Sequence, residues 1–238
     1  MDVCIVEQEP TAPAGLLAEW AVERGHRVVT LYAQEIGAGP WPDPTAYGAI
    51  VPLGAEHSVH ASPDPWIAPQ IAFLRAAHDA GVPVLGVCFG GQALAAALGG
   101  EVRAAPAPEI GWLELEPLDG GAVAPGPWFA WHEDTFTLPP GAVELARSGC
   151  YPHAFRVGAS VGLQFHPEVT PEIVEGWVGG GLDTLAANRV DAEAIRRQTR
   201  DDAAAHRARA FALFDAIAAG WTEVRANRRT TVQSGGVD

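Results

Sequence analysis

The pattern of apolar and polar positions changes character twice along the chain. Asp2–Val6 is a short apolar run of the kind that fills a buried strand, and Ala14–Arg24 follows with Leu16, Leu17 and Trp20 on one helical face. Arg27–Leu31 predicts a second strand. Gly37–Pro44 is a loop rich in proline and glycine, Tyr47–Leu53 a third strand, and a loop through Ser62-Pro63-Asp64-Pro65 leads into a helix over Trp66–Ala80. Pro83–Val87 is the fourth strand, followed by a helix over Gln92–Leu98. Strands and helices in this rhythm predict an α/β fold: an open, mostly parallel twisted sheet with helices on both faces, whose sites form beyond the carboxyl ends of strands.

The runs then shorten. Trp112–Leu118, Trp128–Trp131, Val143–Arg147, Ala154–Val157 and Ser160–Phe165 lie between glycine and proline turns, as antiparallel strands and the returning edge of the sheet would. From Thr170 the pattern is helical. Thr170-Pro171-Glu172 supplies an N-cap, a proline at the first position and an acidic first turn. A later helix, Asp201–Ala219, sets Phe211, Phe214, Ile217 and Trp221 near one face, suited to docking on the sheet domain or to meeting another subunit. The expected organisation is a sheet domain over 1–180, a helical extension packed on it over 181–229, and a disordered tail over 230–238.

Composition narrows the function classes. With 238 residues and 48% hydrophobic content, a sizeable core can form. A net charge of -14, with no basic patch before Arg225-Ala226-Asn227-Arg228-Arg229, argues against a nucleic-acid partner. The sequence contains no lysine, which excludes a P-loop lysine and a Schiff-base lysine. Cys4, Cys88 and Cys150 form neither an even disulfide framework nor a CxxC pair, as expected of a reducing, cytoplasmic compartment. No signal-peptide pattern follows Met1, and no apolar run is long enough to span a bilayer, so no membrane partner is expected.

The candidate chemistry begins at Val84-Leu85-Gly86-Val87-Cys88-Phe89-Gly90-Gly91-Gln92, where a buried strand turns through glycine onto a cysteine and into an Ala/Leu helix. Helix N–H groups aimed at the sulfur favour thiolate over thiol. Taken alone, the segment equally describes a core cysteine at an ordinary strand-to-helix turn. A partner base is offered by His166-Pro167-Glu168: residues two apart in extended backbone share a side, so Glu168 can hold one ring nitrogen of His166 and leave the other for a nucleophile. In isolation, a His-Pro turn with a surface glutamate reads as well. His57 and His60 resemble a two-histidine ligand pair but lack a third ligand at sensible spacing. Cys4 fits a core strand, and Cys150 has no evident role.

Three segments together resemble the class I, or triad, glutamine amidotransferases, especially the stand-alone relatives of the GMP synthase amidotransferase domain. They are Gly86–Gln92, Trp131-His132-Glu133-Asp134-Thr135-Phe136-Thr137-Leu138-Pro139-Pro140-Gly141, and Gly162-Leu163-Gln164-Phe165-His166-Pro167-Glu168-Val169. The resemblance covers most of residues 45–178 in order and spacing. It implies a flavodoxin-like amidotransferase fold, with Cys88 as nucleophile, His166 as general acid/base and Glu168 as its orienting carboxylate. It further implies that Gln92 contacts substrate and that the backbone N–H groups of Phe89 and Gly54 form the oxyanion hole. His132-Glu133-Asp134 would shape the pocket wall. Two positions depart from the family: Leu53-Gly54-Ala55-Glu56 stands where Gly-Gly-Pro is usual, and His153 where relatives often carry glutamine.

The resemblance implies hydrolysis of the glutamine side-chain amide through a γ-glutamyl thioester, with ammonia passed to an unidentified acceptor; the sequence shows no evident ATP-binding motif, so a separate synthetase subunit is the expected partner. No metal and no cofactor are required by that chemistry. Two other readings keep the same residues: a γ-glutamyl hydrolase or peptidase acting on a γ-glutamyl conjugate, and a non-catalytic binding or regulatory module.

Overall fold

A computed structural model describes residues 1–118 and 122–234, with side chains described as far as Trp221. The first strands are β1 (Asp2–Glu7), β2 (Arg27–Tyr32) and β3 (Ala49–Pro52), joined by helices α1 (Gly15–Glu23) and α2 (Ala33–Ile36) and a 3-10 turn at Pro44–Ala46. They pair in parallel in the order β2-β1-β3. Helix α3 (Ile67–Asp79) leads to β4 (Leu85–Val87), which meets the first strands only through a parallel bridge between Ile50 and Val84. Helix α4 (Phe89–Ala97) follows directly.

The second half is antiparallel, as the short alternating runs predict. Strands β5 (Val102–Glu114), β6 (Glu116–Pro117), β7 (Pro127–Phe136), β8 (Val143–Arg147), β9 (Pro152–Val157) and β10 (Ser160–Leu163) follow in turn. Strand β10 returns beside β4 in parallel, and β9, β8 and β6 extend that sheet antiparallel. The architecture is therefore α/β with a parallel half and an antiparallel half. Strands β5 and β7 form a separate two-stranded ribbon. Strand β5 begins ten residues before the predicted Trp112, because Val102–Glu109 lacks alternation and carries Pro106 and Pro108. The register shift between Ala104 and Glu109 accommodates those prolines in the ribbon.

Apolar cores fill both faces. On one, Leu17 and Trp20 of α1 pack with Val3, Val51 and Leu85; on the other, Phe73 and Leu74 of α3 and Phe89 and Leu94 of α4 pack with Cys4 and Ile50. Burial pushes the Cys4 thiol up to about 12, against a hydrogen bond with Tyr47, as suits an inert core cysteine. Helix α5 (Pro171–Gly180) starts as predicted, with the Thr170 side chain accepting from the Ile173 N–H at 3.3 Å. Helices α6 (Leu182–Ala187) and α7 (Ala192–Ser234) complete the chain. Helix α7 starts nine residues earlier than the predicted Asp201, and residues 235–238 of the expected tail lie outside the described residues. Among the described residues no helix is long and apolar enough to cross a membrane.

The predicted apolar face of α7 is buried: Phe211, Phe214, Ile217 and Trp221 join the core that holds Val3 and Trp20. Trp20 donates its indole N–H to Asp215 at 2.8 Å, and Arg24 grips the same carboxylate through two bonds of 2.8 Å. Removing the Phe214 ring leaves a cavity that neighbouring rings close only in part. Phe214→Ala is expected to lower the unfolding free energy by about 3–5 kcal/mol, read as a fall in the urea midpoint.

Candidate active site

The elbow forms where β4 ends in the middle of the joined sheet. Cys88 is the N-cap of α4 and has φ 50° and ψ -109°, a left-handed conformation that side chains rarely adopt. Its neighbours hold it there. The Cys88 N–H donates to the Leu163 carbonyl at 2.8 Å, the Gly90 N–H to Leu53 at 3.0 Å, and the Gln92 N–H to Cys88 at 2.9 Å. A Cβ at Gly90 would stand 2.0 Å from the Pro52 carbonyl oxygen, so only glycine lets the helix approach the strand so closely.

The predicted base comes to the same place. His166 Nδ1 lies 2.7 Å from Glu168 Oε1, with both side chains almost wholly buried. Their contact does not use the extended backbone expected from sequence: β10 ends at Leu163, and residues 164–168 run through bends and a turn. The turn is held by the His166 N–H donating to Phe129 at 2.7 Å and by the Glu168 carbonyl accepting from Leu16 at 2.8 Å. Burial disfavours an imidazolium at His166, but the Glu168 carboxylate and the Cys88 sulfur outweigh it and hold the ring up at about 10. Trp177 covers the ring edge-on, with centroids 4.8 Å apart.

Gly54 lies across the cleft. A Cβ there would stand 3.0 Å from His166 Cε1 and 3.7 Å from Cys88 Cβ, so the loop after β3 borders both groups. The Phe89 N–H, in the first turn of α4, has no intrahelical acceptor. The departure at Leu53-Gly54-Ala55-Glu56 is anchored from outside: the Glu56 N–H donates to Glu9 Oε1 at 2.6 Å. Ser58 Oγ donates to Asp134 Oδ2 at 2.6 Å, and His60 Nε2 lies 3.2 Å from Asp134 Oδ1. His57 Nδ1 instead lies 2.8 Å from Asp64 Oδ2. The two histidines thus face different carboxylates, and together they pin the loop.

Gln92 is buried near the sulfur, but its amide is turned sideways. Its Nε2 donates to Gln164 Oε1 at 3.2 Å and to the Asp134 carbonyl at 3.3 Å. Gln164 also reaches the sulfur, with Nε2 3.7 Å from Sγ, beside the His166 ring that hydrogen-bonds to Cys88. Sequence reading passed over Gln164 although it lies two residues before His166; its signal was a polar residue at the end of an apolar strand. The Trp131 carbonyl lies 3.8 Å from Sγ on the other side. Cys150 is exposed in a turn, away from these groups, and all three cysteines are free. The assembled groups are a buried cysteine sulfur, an imidazole paired with a carboxylate, and backbone N–H groups at a helix start, a set suited to acyl transfer.

Comparison with known proteins gives the family of the chain. A GMP synthase (glutamine-hydrolyzing) of Mycolicibacterium paratuberculosis is 36% identical over 172 residues, covering 64% of this chain and 32% of that protein. One from Aeropyrum pernix is 40% identical over 111 residues, covering 41% of this chain and 22% of that protein. The chain spans about a third or less of the length of these curated relatives. A solved glutamine amidotransferase from Methylobacillus flagellatus superposes with a TM-score of 0.84 at 26% identity, over 92% of this chain and 94% of that one. Residues 22–175 match the family model for glutamine amidotransferase class-I, a span that takes in both the elbow and the His166 turn, and the chain belongs to that family.

Proposed function

We propose that Cys88, His166 and Glu168 form a catalytic triad that hydrolyses the side-chain amide of glutamine. The observation that carries this reading is the 2.7 Å His166–Glu168 pair beside a thiol on a left-handed turn. Cys88 sulfur adds to the carboxamide carbon, and the oxygen that gains charge takes the N–H groups of Phe89 and Gly54. The C–N bond then breaks as His166 gives its proton to the leaving nitrogen, releasing ammonia and leaving a γ-glutamyl thioester. Water attacks the thioester, His166 takes its proton, and glutamate leaves. Gln92 and Gln164 line the pocket wall. The matched relatives are glutamine-hydrolyzing GMP synthases, which supports a synthetase activity as the acceptor of the released ammonia.

Ammonia release from glutamine, measured on the purified protein with and without candidate synthetases, tests this directly. Cys88→Ala is expected to reduce release to background, and His166→Ala to lower kcat about 10²- to 10⁴-fold. Release that survives Cys88→Ala would exclude the triad. Faster turnover of γ-glutamyl conjugates than of glutamine would move the assignment to a γ-glutamyl hydrolase, and labelling by neither substrate class to a binding module.

The His166 shift also predicts a pH dependence of stability. A folded-state value raised from 6.5 to about 10 gives stabilisation that is full below 6.5 and is lost as pH rises towards 10. Glu168→Gln removes the carboxylate that sustains it. The difference in unfolding free energy between wild type and Glu168→Gln is therefore expected to shrink steadily from pH 6.5 to 10; a constant difference would show that the pair is not charged.

A further inference from the structure

Behind the thiol pocket lies a second cluster that the triad chemistry leaves unused. Glu109 of β5, His132 of β7 and His153 of β9 bring one ligand atom each within 4.8 Å of the others. Glu109 Oε2 lies 2.7 Å from His153 Nε2 and 3.1 Å from His132 Nε2. His153 is fully buried and His132 nearly so. We propose that Glu109, His132 and His153 form a structural site for a divalent transition metal of the zinc class, which fastens the β5–β7 ribbon to the main sheet.

Hydrogen placement is the first support. His132 Nδ1 lies 2.8 Å from the Asp134 carbonyl, which can only accept, so Nδ1 carries the hydrogen. Nε2 then faces a carboxylate oxygen, and the pair needs a positive charge between the two atoms, either a second ring proton or a metal cation. A cation held by both Nε2 atoms and Glu109 Oε2 supplies it. The Nδ1–H to carbonyl bond is also the outer partner that orients metal-bound imidazoles.

His153 Nδ1 is buried with no hydrogen-bond partner among the described residues, so the one polar contact of this ring is made through Nε2 to Glu109. Two imidazoles and a carboxylate suit zinc-class ions better than calcium or magnesium. Tetrahedral bonds of about 2.0–2.1 Å would space the donors roughly 3.4 Å apart, against 2.7 and 3.1 Å for the two carboxylate–imidazole pairs and at most 4.8 Å between any two of the donors.

The location indicates what the metal would do. The Gln164 N–H donates to the His153 carbonyl at 2.8 Å, and the Asp134 carbonyl that accepts from His132 also accepts from Gln92. A metal here would stiffen the wall that carries both glutamines, without touching the reacting atoms.

The test uses the full chain, stripped with a chelator and titrated calorimetrically with Zn²⁺ and Co²⁺. One equivalent is expected to bind at micromolar concentration or tighter and to raise the melting temperature. Glu109→Gln and His153→Gln should each weaken binding at least tenfold, while Cys88→Ser and His60→Ala should leave it within twofold. Should the cluster variants fail to fold, the absorption spectrum of Co²⁺ bound to the wild-type chain decides: imidazole and carboxylate ligation gives no thiolate charge-transfer band. Absence of binding up to millimolar metal would overturn the site and leave a shared proton between His132 and Glu109. Equal binding by folded His153→Gln and Glu109→Gln, or a thiolate band, would overturn it too.

Discussion

Everything at the active site depends on how closely the first turn of α4 approaches the two strands beside it. The left-handed backbone at Cys88 costs on the order of 1–3 kcal/mol. It persists because Gly90 and Gly91 have no side chains where the Pro52 and Leu163 carbonyl oxygens pass. Phe89 and Leu94, buried in the core below, hold the helix down from the other side. The same approach sets the thiol, the Phe89 N–H and the Gly54 loop, since all are fixed to β3, β4 and β10 by backbone contacts. A relaxed turn would return Cys88 to the core-cysteine geometry that its sequence equally allows.

The buried base is held by a different balance. Taking a carboxylate and an imidazole out of water costs several kcal/mol per ion unless each compensates the other. Glu168 Oε2 is buried with no hydrogen-bond partner among the described residues, so the carboxylate relies on the His166 contact made by Oε1. That dependence works in both directions and keeps a proton on His166. Trp177 and Phe129 beside the ring exclude water, which would otherwise screen the pair. Such an arrangement contributes little to net stability compared with an apolar packing of the same volume. What it provides is an imidazole held in one orientation beside the Cys88 sulfur.

The legible parts of the sequence were those where local pattern and tertiary role coincide. The β1–β4 strands, the capped start of α5 and the apolar face of α7 each carry a periodicity that survives folding. Cys88 and the His166–Glu168 pair stand out as candidates because each lies in a short contiguous motif, although the contacts that mount them, from Leu163 to Cys88 and from Phe129 to His166, are distant in sequence. Glu109 was not: it sits in the proline-containing part of β5 that shows no alternation, and its partners are 23 and 44 residues away. Gln92 was placed correctly on its helix, yet the direction of its amide is set by Gln164 and Asp134, 72 and 42 residues distant. A histidine pair such as His57 and His60 invites a metal reading from spacing alone. In the fold their rings diverge to separate carboxylates, because side-chain direction in a loop follows its anchors and not its sequence interval.

The C-terminal helices, which sequence presents as an addition, share cores with the parts that form the site. Phe211, Phe214, Ile217 and Trp221 lie in the same apolar cluster as Val3, Leu85 and Leu163. Val174, Val178, Leu185 and Ile195 close over Phe129, whose carbonyl receives the His166 N–H. Trp177 of α5 reaches across to the Thr11 carbonyl at 2.6 Å while its ring covers His166. The turn that presents the base therefore has the sheet on one side and these helices on the other. Its backbone has left the extended conformation that would bring His166 and Glu168 together by geometry alone, so packing must supply the alignment. Leu185 and Ile195 of the helical extension thereby back the His166 turn through Phe129, while Trp177 of α5 covers the ring directly.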